Sequence, residues 1–190
     1  MLGWPVTVGR TLAKGRLMTS PRVDRDPTST ATVSTPVGPI TITGNGRAIV
    51  RVAWREIPGP ADGAPTEPLL VEAVGQLHAY FDGSLTTFDL PIDLSRVSGA
   101  ACAVLNALHH DVPYGATVTY GQLATMSGAG IPARSVGSIM GVNPAPLLIP
   151  CHRVVAGDGL GGFSGGRPGE GLATKRWLLE FEGALPPTLF

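Results

Sequence analysis

The chain has 190 residues, with Lys+Arg 14 against Asp+Glu 14, Gly 26 and Pro 18. That length builds one domain or two small ones without covalent staples, and a formal charge of zero excludes a globally basic polyanion binder, so any nucleic-acid contact has to be local. Cys102 and Cys151 form no CxxC and share the chain with only four histidines, a pattern that matches no disulfide framework and no ordinary zinc site and points to reduced thiols in the cytoplasm.

At the N-terminus, "MLGWPVTVGRTLAKGR" is interrupted by Pro5, Arg10, Lys14 and Arg16 before any apolar run reaches the length of a signal or membrane segment. The polar "MTSPRVDRDPTST" that follows reads as turn-rich, so residues 1–29 are expected to be a disordered or loosely attached leader. From Thr32, "TVSTPVGPITITGNGRAIVRVAW" alternates β-branched and polar residues around Gly44-Asn45-Gly46, which predicts strands over 32–34, 38–43 and 48–54 joined as hairpins. "PLLVEAVGQLHAYFDG" then places Leu70, Val74, Leu77 and Phe81 at helical spacing, with Gly83 at the C-terminal cap. "FDLPIDLS" reads as an extended connector that closes a first domain at about residue 95.

A second helix is expected in "GAACAVLNALHH", where Cys102 reads as structural, and a turn at Pro113-Tyr114-Gly115. "TVTYGQLATMSG" and "PARSVGSIMGVN" predict two short helices across a Gly-containing turn, a helix-turn-helix. Val136, Ile139 and Met140 share one face of the second helix, leaving Arg134, Gly137, Ser138 and Gly141 on the other. A helix that reads bases in the major groove carries several long polar side chains. This face has one arginine among near-bare residues. Two readings fit it equally: close approach to a DNA minor groove without sequence readout, or packing on a neighbouring helix through the glycines.

"GVNPAPLLIPCHRVV" sets Cys151 and His152 side by side in an apolar, proline-studded stretch, and the Gly-rich "GDGLGGFSGGRPGEG" beyond it is long enough to fold over a flat substrate. Taken alone the pair reads more readily as an inert buried thiol and a satisfied imidazole than as a nucleophile with its base. In an extended segment the two side chains point to opposite faces, and a turn or helix start is needed to bring them together.

Pro150-Cys151-His152-Arg153-Val154-Val155 resembles the active-site motif of the alkylguanine-DNA alkyltransferases, the methylated-DNA-protein-cysteine methyltransferases. "STPVGPITIT", "QLHAYFDGSLTTFDLPIDL", "VPYGATVTYGQLA", "ARSVGSIMGVNPAPLLIPCHRVV" and "LATKRWLLEFEG" also look like family segments in family order, over roughly residues 32 to 184. The resemblance implies an α+β fold. A small N-terminal α/β domain with an antiparallel sheet, ribonuclease-H-like, occupies 30–95, and a mostly helical winged helix-turn-helix domain occupies 96–190.

By the same resemblance Cys151 accepts the alkyl group of O6-alkylguanine in duplex DNA, His152 is its base through a water, Glu182 orients His152, and Tyr120 hydrogen-bonds the flipped guanine. Arg134 is the finger that fills the vacated place, with Thr119, Ser135, Gly137 and Ser138 beside it at the DNA. Asn143, Val154, Val155, Phe163 and Ser164 belong to the substrate pocket, and O4-alkylthymine is a further candidate substrate. No metal or cofactor is implied. The partner implied is double-stranded DNA, held at the minor groove with little sequence specificity by a monomer able to cluster along it.

The chain departs from the family pattern where "GAACAVLNAL" replaces the usual phenylalanine-glutamine pair and tryptophan, a change that bears on packing between the domains. Phe163 stands where a tyrosine is usual, and the Gly-rich loop is one residue shorter than in some relatives. Residues 96–190 hold six Lys+Arg and five Asp+Glu, a net +1, so modest affinity with a shallow salt dependence is expected. Two rival functions stand beside repair. A cysteine hydrolase or acyltransferase would turn over through a thioester, and a DNA-binding module of this fold would lack the chemistry.

Overall fold

The computed structural model describes residues 28–57 and 65–187. Residues 1–27 of the expected leader lie outside the described residues, and Ser29 already belongs to the first strand. Strands β1 (Ser29–Thr35), β2 (Gly38–Gly44) and β3 (Ile49–Ala53) form an antiparallel sheet in the order β1-β2-β3. β-branched alternation is the cause: Ala31 and Val33 point inward from β1, and Ile40 and Ile42 are fully buried in the central strand. Thr41, on the opposite face of β2, is buried as well. Its hydroxyl is satisfied by Thr32 Oγ1 at 2.8 Å and by donation to the Arg55 carbonyl at 2.7 Å, because the chain after β3 crosses that face.

Helix α1 (Pro68–Phe81) starts with Glu67 accepting from the Leu69 N–H and with Pro68 in the first turn, and Gly83 follows its end at φ +75°. Its buried residues are Leu70, Ala73, Leu77 and Tyr80, whereas Val74 and Phe81 are half-buried. The stripe is thus rotated by one residue from the expected one, because the helix packs on the sheet on one side and on the second half of the chain on the other. Residues 88–94 are more than a connector. Ile49 N–H donates to Pro91 O at 2.7 Å and Asp93 N–H to Ile49 O at 2.9 Å, so this segment borders β3 as a short parallel bridge.

The second half is helical: α2 (Gly99–Asp111), α3 (Tyr120–Met126), α4 (Ala133–Gly141) and α5 (Gly171–Phe181), with a two-residue parallel pair, β4 (Val118–Thr119) and β5 (Val154–Val155). Thr119 caps α3 through a reciprocal box with Gln122. Small residues do not leave α2 detached, since Ala101, Val104, Leu105 and Leu108 are buried. An aromatic cluster fills the seam between the halves. The ring of Tyr80 lies 5.2 Å from Phe88, 6.0 Å from Tyr114 and 5.7 Å from Phe181, and Trp177 stacks on Phe181 at 5.0 Å. The architecture is α+β, a small antiparallel-sheet domain followed by a helical one. Among the described residues no helix is long and apolar enough to cross a membrane, and no cluster of three or more His, Cys, Asp or Glu side chains is placed to hold a metal ion.

Candidate active site

The segment between α4 and Cys151 is a fixed wall. Asn143 Oδ1 accepts from Ala145 N–H at 3.0 Å while its Nδ2 donates to Ile149 O at 2.9 Å, and Leu147 is held at φ +76° while buried. A left-handed leucine persists only where its surroundings over-determine it. At the end of this wall Cys151–Arg153 forms a single 3-10 turn, which does not bring the two adjacent side chains together. Three residues per turn fan the side chains apart. Cys151 lines a cleft, and His152 and Arg153 turn inward to Glu182, the cap of α5.

Glu182 is 4% exposed and receives four hydrogen bonds. Its Oε1 accepts from Tyr80 Oη at 2.7 Å, His152 Nε2 at 2.9 Å and an Arg153 terminal nitrogen at 2.9 Å, and Oε2 accepts from Arg153 Nε at 2.9 Å. Burial opposes its ionisation, but the hydrogen bonds from His152 and Arg153 and the Arg153 charge outweigh burial and hold the carboxyl at about 2. Arg153 already balances that charge, so burial wins at His152 and pushes the imidazole below its ordinary value. The neutral ring donates from Nε2 to the carboxylate and keeps its lone pair on Nδ1, which has no partner among the described residues.

Burial pushes the Cys151 thiol up, against smaller opposing pulls from the Asn143 amide and the Lys175 charge. The resting sulfur is therefore protonated at neutral pH. Lys175 is itself fully buried, with Nζ donating to Val154 O at 2.5 Å and Gly162 O at 3.2 Å, and burial brings it down to about 8. It ties the strand after Cys151 to the Gly-rich loop.

The cleft holds about 390 Å³ and is lined by Tyr120, Gly137, Met140, Gly141, Cys151, Gly162, Phe163 and Ser164. Burial raises the Tyr120 hydroxyl, against a smaller opposing pull from a hydrogen bond with the Gly162 backbone. Gly161 has φ +68°, and a Cβ there would sit 3.0 Å from the Tyr120 ring, so glycine is required. Trp54, beyond β3, meets the edge of Phe163 at 6.0 Å. A larger groove of about 670 Å³ lies between residues 111–118 and α3. It contains none of the expected site residues, so chemistry rather than size selects the smaller cleft.

The structure therefore gathers Cys151, Tyr120, Gly137, Phe163 and Ser164 around one cleft, while His152, next to Cys151 in the chain, is bonded to Glu182. Asn143 stands beside that wall. Val154 and Val155 form β5 against Val118 and Thr119 and do not line the cleft. Arg134, Gly137, Ser138 and Gly141 are exposed on one face of α4, Ser135 is half-buried, and Thr119 Oγ1 is engaged in the α3 cap. Sequence reasoning missed Tyr80, Arg153 and Lys175. A lysine three and four positions before Leu178 and Leu179, on the buried stripe of α5, was a usable signal. Tyr80 had none.

The protonation states set an acid limit on the fold. Glu182 binds its proton at about 2 when folded against an ordinary 4.5, so its contribution is present above about pH 4.5 and is lost as pH falls toward 2. His152, held neutral in the fold, erodes stability in the same direction below its ordinary 6.5. Urea unfolding followed by circular dichroism should lose stability from pH 6.5 downward, with about 3 kcal/mol of the loss from Glu182 alone. A flat profile from pH 6 to 3 would contradict this charge assignment.

Residues 29–94 match the 6-O-methylguanine DNA methyltransferase, ribonuclease-like domain, and residues 100–184 match the DNA binding domain of the same proteins. The chain belongs to the 6-O-methylguanine DNA methyltransferase family. Within this family it is 39% identical over 166 residues to the methylated-DNA--protein-cysteine methyltransferase of Mycobacterium tuberculosis, covering 84% of this chain and 96% of that one. It is 42% identical over 137 residues to the mouse protein of the same name, covering 69% of this chain and 62% of the relative. The crystal structure of M. tuberculosis O6-methylguanine methyltransferase superposes with a TM-score of 0.69 at 36% identity, over 85% of this chain and 96% of that one. The M. tuberculosis OGT in complex with DNA gives the same TM-score at 38% identity, over 82% and 92% of the two chains.

Proposed function

We propose that this chain repairs DNA by direct reversal, moving the alkyl group of O6-alkylguanine, methyl foremost, onto Cys151. The observation that carries the reading is Cys151 lining a cleft between α4 and the Gly-rich loop, with the adjacent His152 bonded through Nε2 to Glu182. A lesion at O6 is out of reach inside the base stack, so the nucleotide is rotated out into the cleft. The thiol proton passes through a water to Nδ1 of His152, the lone pair that the Glu182 bond leaves free. Sulfur attacks the alkyl carbon, the C–S bond forms as the C–O6 bond breaks, and guanine departs with the electron pair. Tyr120, kept protonated by burial, hydrogen-bonds the base as negative charge gathers on it. Phe163 packs on the ring, and Ser164 sits near the alkylated oxygen. The displacement is redox-neutral and takes no cofactor. Its product is a thioether, which water does not cleave, so each molecule acts once.

The family's DNA binding domain and the DNA complex of the M. tuberculosis relative support DNA as the partner. The exposed face of α4, bare except for Arg134 and Ser138, supports docking in the minor groove with little sequence readout. Arg134 fills the gap left by the flipped base, with Thr119, Ser135, Gly137 and Ser138 near the backbone. The protein acts as a monomer in the cytoplasm, where both thiols stay reduced.

The test is intact mass after incubation with an O6-methylguanine duplex and, separately, with a free O6-benzylguanine base, with an O4-alkylthymine duplex as a third substrate. One stable adduct mapping to Cys151 is expected. Product released beyond one equivalent would favour a hydrolase, and no adduct would favour a binding module. Arg134→Ala should slow the duplex reaction at least about tenfold, the scale of 1.4 kcal/mol, and leave the free-base rate in place. Equal losses on both would remove the finger role.

A further inference from the structure

Tyr80 lies on α1 of the first domain, 102 positions before Glu182 in sequence, yet its hydroxyl donates to Glu182 Oε1 at 2.7 Å, the shortest of the four bonds to that carboxylate. A carboxylate oxygen offers about two lone-pair directions. Oε1 is asked to serve three donors, Tyr80, His152 and Arg153. Each donor withdraws density that the others would use, so the strength of the bond to His152 depends on what Tyr80 takes.

We propose that Tyr80 is a positioning residue for the transfer, holding Glu182 in place and weakening its grip on His152 Nε2–H so that the imidazole stays an unprotonated, modest base at neutral pH. A protonated His152 has no lone pair on Nδ1 and cannot receive the thiol proton. The first domain thereby enters the chemistry of the second through one hydroxyl. The inference rests on the alkyl-transfer reading of Cys151.

The neighbours fit the assignment. Facing His152 and Glu182 are Arg153 on the same turn, Lys175 on α5, Tyr114 from the loop after α2, and Tyr80 from α1. Arg153 and Lys175 both oppose a positive imidazole, and Glu182 favours one. Of this set Tyr80 is the neutral donor on the favouring group, and its own hydroxyl is pushed up by burial and by Glu182, so it remains a donor throughout the working range. Its ring is held independently by Phe81, Phe88, Tyr114 and Phe181. Removing the oxygen alone leaves that packing intact.

The experiment is the pH dependence of single-turnover transfer from free O6-benzylguanine in the full chain and in Tyr80→Phe, with the His152 imidazole titrated in both by NMR. In the variant Glu182 binds His152 more strongly, so the acid limb of the rate profile and the imidazole midpoint should both move up by about one unit, a tenfold change in the proton-binding constant. Below the new midpoint the variant should transfer several-fold more slowly. Well above it the two proteins should converge. A purely structural tyrosine would lower thermal stability and leave both midpoints where they are, and that outcome overturns the proposal. Should the parent chain form no Cys151 adduct at any pH, the repair reading fails on its own, and the NMR midpoints still decide whether Tyr80 tunes His152.

Discussion

Cys151→Ser is expected to abolish alkyl transfer while changing duplex affinity by no more than an ordinary surface substitution does, about 0.5 kcal/mol. The hydroxyl of serine holds its proton far more tightly than a thiol, and His152, kept neutral and weakly basic by burial, is too poor a base to remove it. The activated nucleophile is lost, and nothing in the cleft replaces it. The residues proposed to meet DNA are on the exposed side of α4, and the exchange of one atom at a site 7% exposed leaves them undisturbed. Intact mass should show no adduct on any residue, and fluorescence anisotropy with a labelled O6-methylguanine duplex should show retained binding. An adduct on the serine variant would mean that Cys151 is not the acceptor.

Glu182→Gln should be the most damaging single change to the fold and the transfer together. The amide keeps one acceptor oxygen but presents a donor where the carboxylate accepted, and it removes the charge that neutralises Arg153, whose side chain is 8% exposed. Breaking one partner out of a buried pair costs about 3–5 kcal/mol, because the remaining charge stays buried. His152 loses its anchor in the same step, and the loss of a positioned general base slows transfer by about 10²–10⁴-fold. Urea unfolding and single-turnover transfer check the two halves separately. A variant of parental stability would place the weight of the network on Arg153 and Val112 O, bonded at 2.8 Å, instead of on the carboxylate.

Local patterns made much of the fold legible. Alternation in 32–54 announced β1, β2 and β3, and Gly83 marked the end of α1 because the left-handed backbone there strains any residue with a side chain. The two short helices α3 and α4 were visible through their breakers, and the division of α4 into a buried Val136 side and an exposed Arg134–Ser138 side followed from the helical period. Long-range partnerships were not legible. The α1 stripe reads as Leu70, Val74, Leu77 and Phe81 when one contact face is assumed, and a second face turns Ala73 and Tyr80 inward. The contact between Tyr80 and Glu182 spans most of the chain and leaves no mark on either neighbourhood. Arg153 was in plain view inside the motif, but a cation next to a reactive thiol reads as a surface group until the carboxylate that receives it is known. Segment 88–94 looked like a linker because Pro91 interrupts it, and its bonds to Ile49 depend on where β3 begins.

Three of the eight residues lining the cleft, Gly137, Gly141 and Gly162, have no side chain at all. Two of them are fixed by the hydrogen bonding of α4, and the carbonyl of the third is held by Lys175 Nζ at 3.2 Å. An incoming purine thus meets walls with no rotamers to freeze, and the entropy ordinarily surrendered when a pocket closes on its guest, about 0.5–1.5 kcal/mol per immobilised side chain, is not surrendered along those walls. A protein whose every molecule is consumed by one encounter gains most from recognition that is settled before the guest arrives.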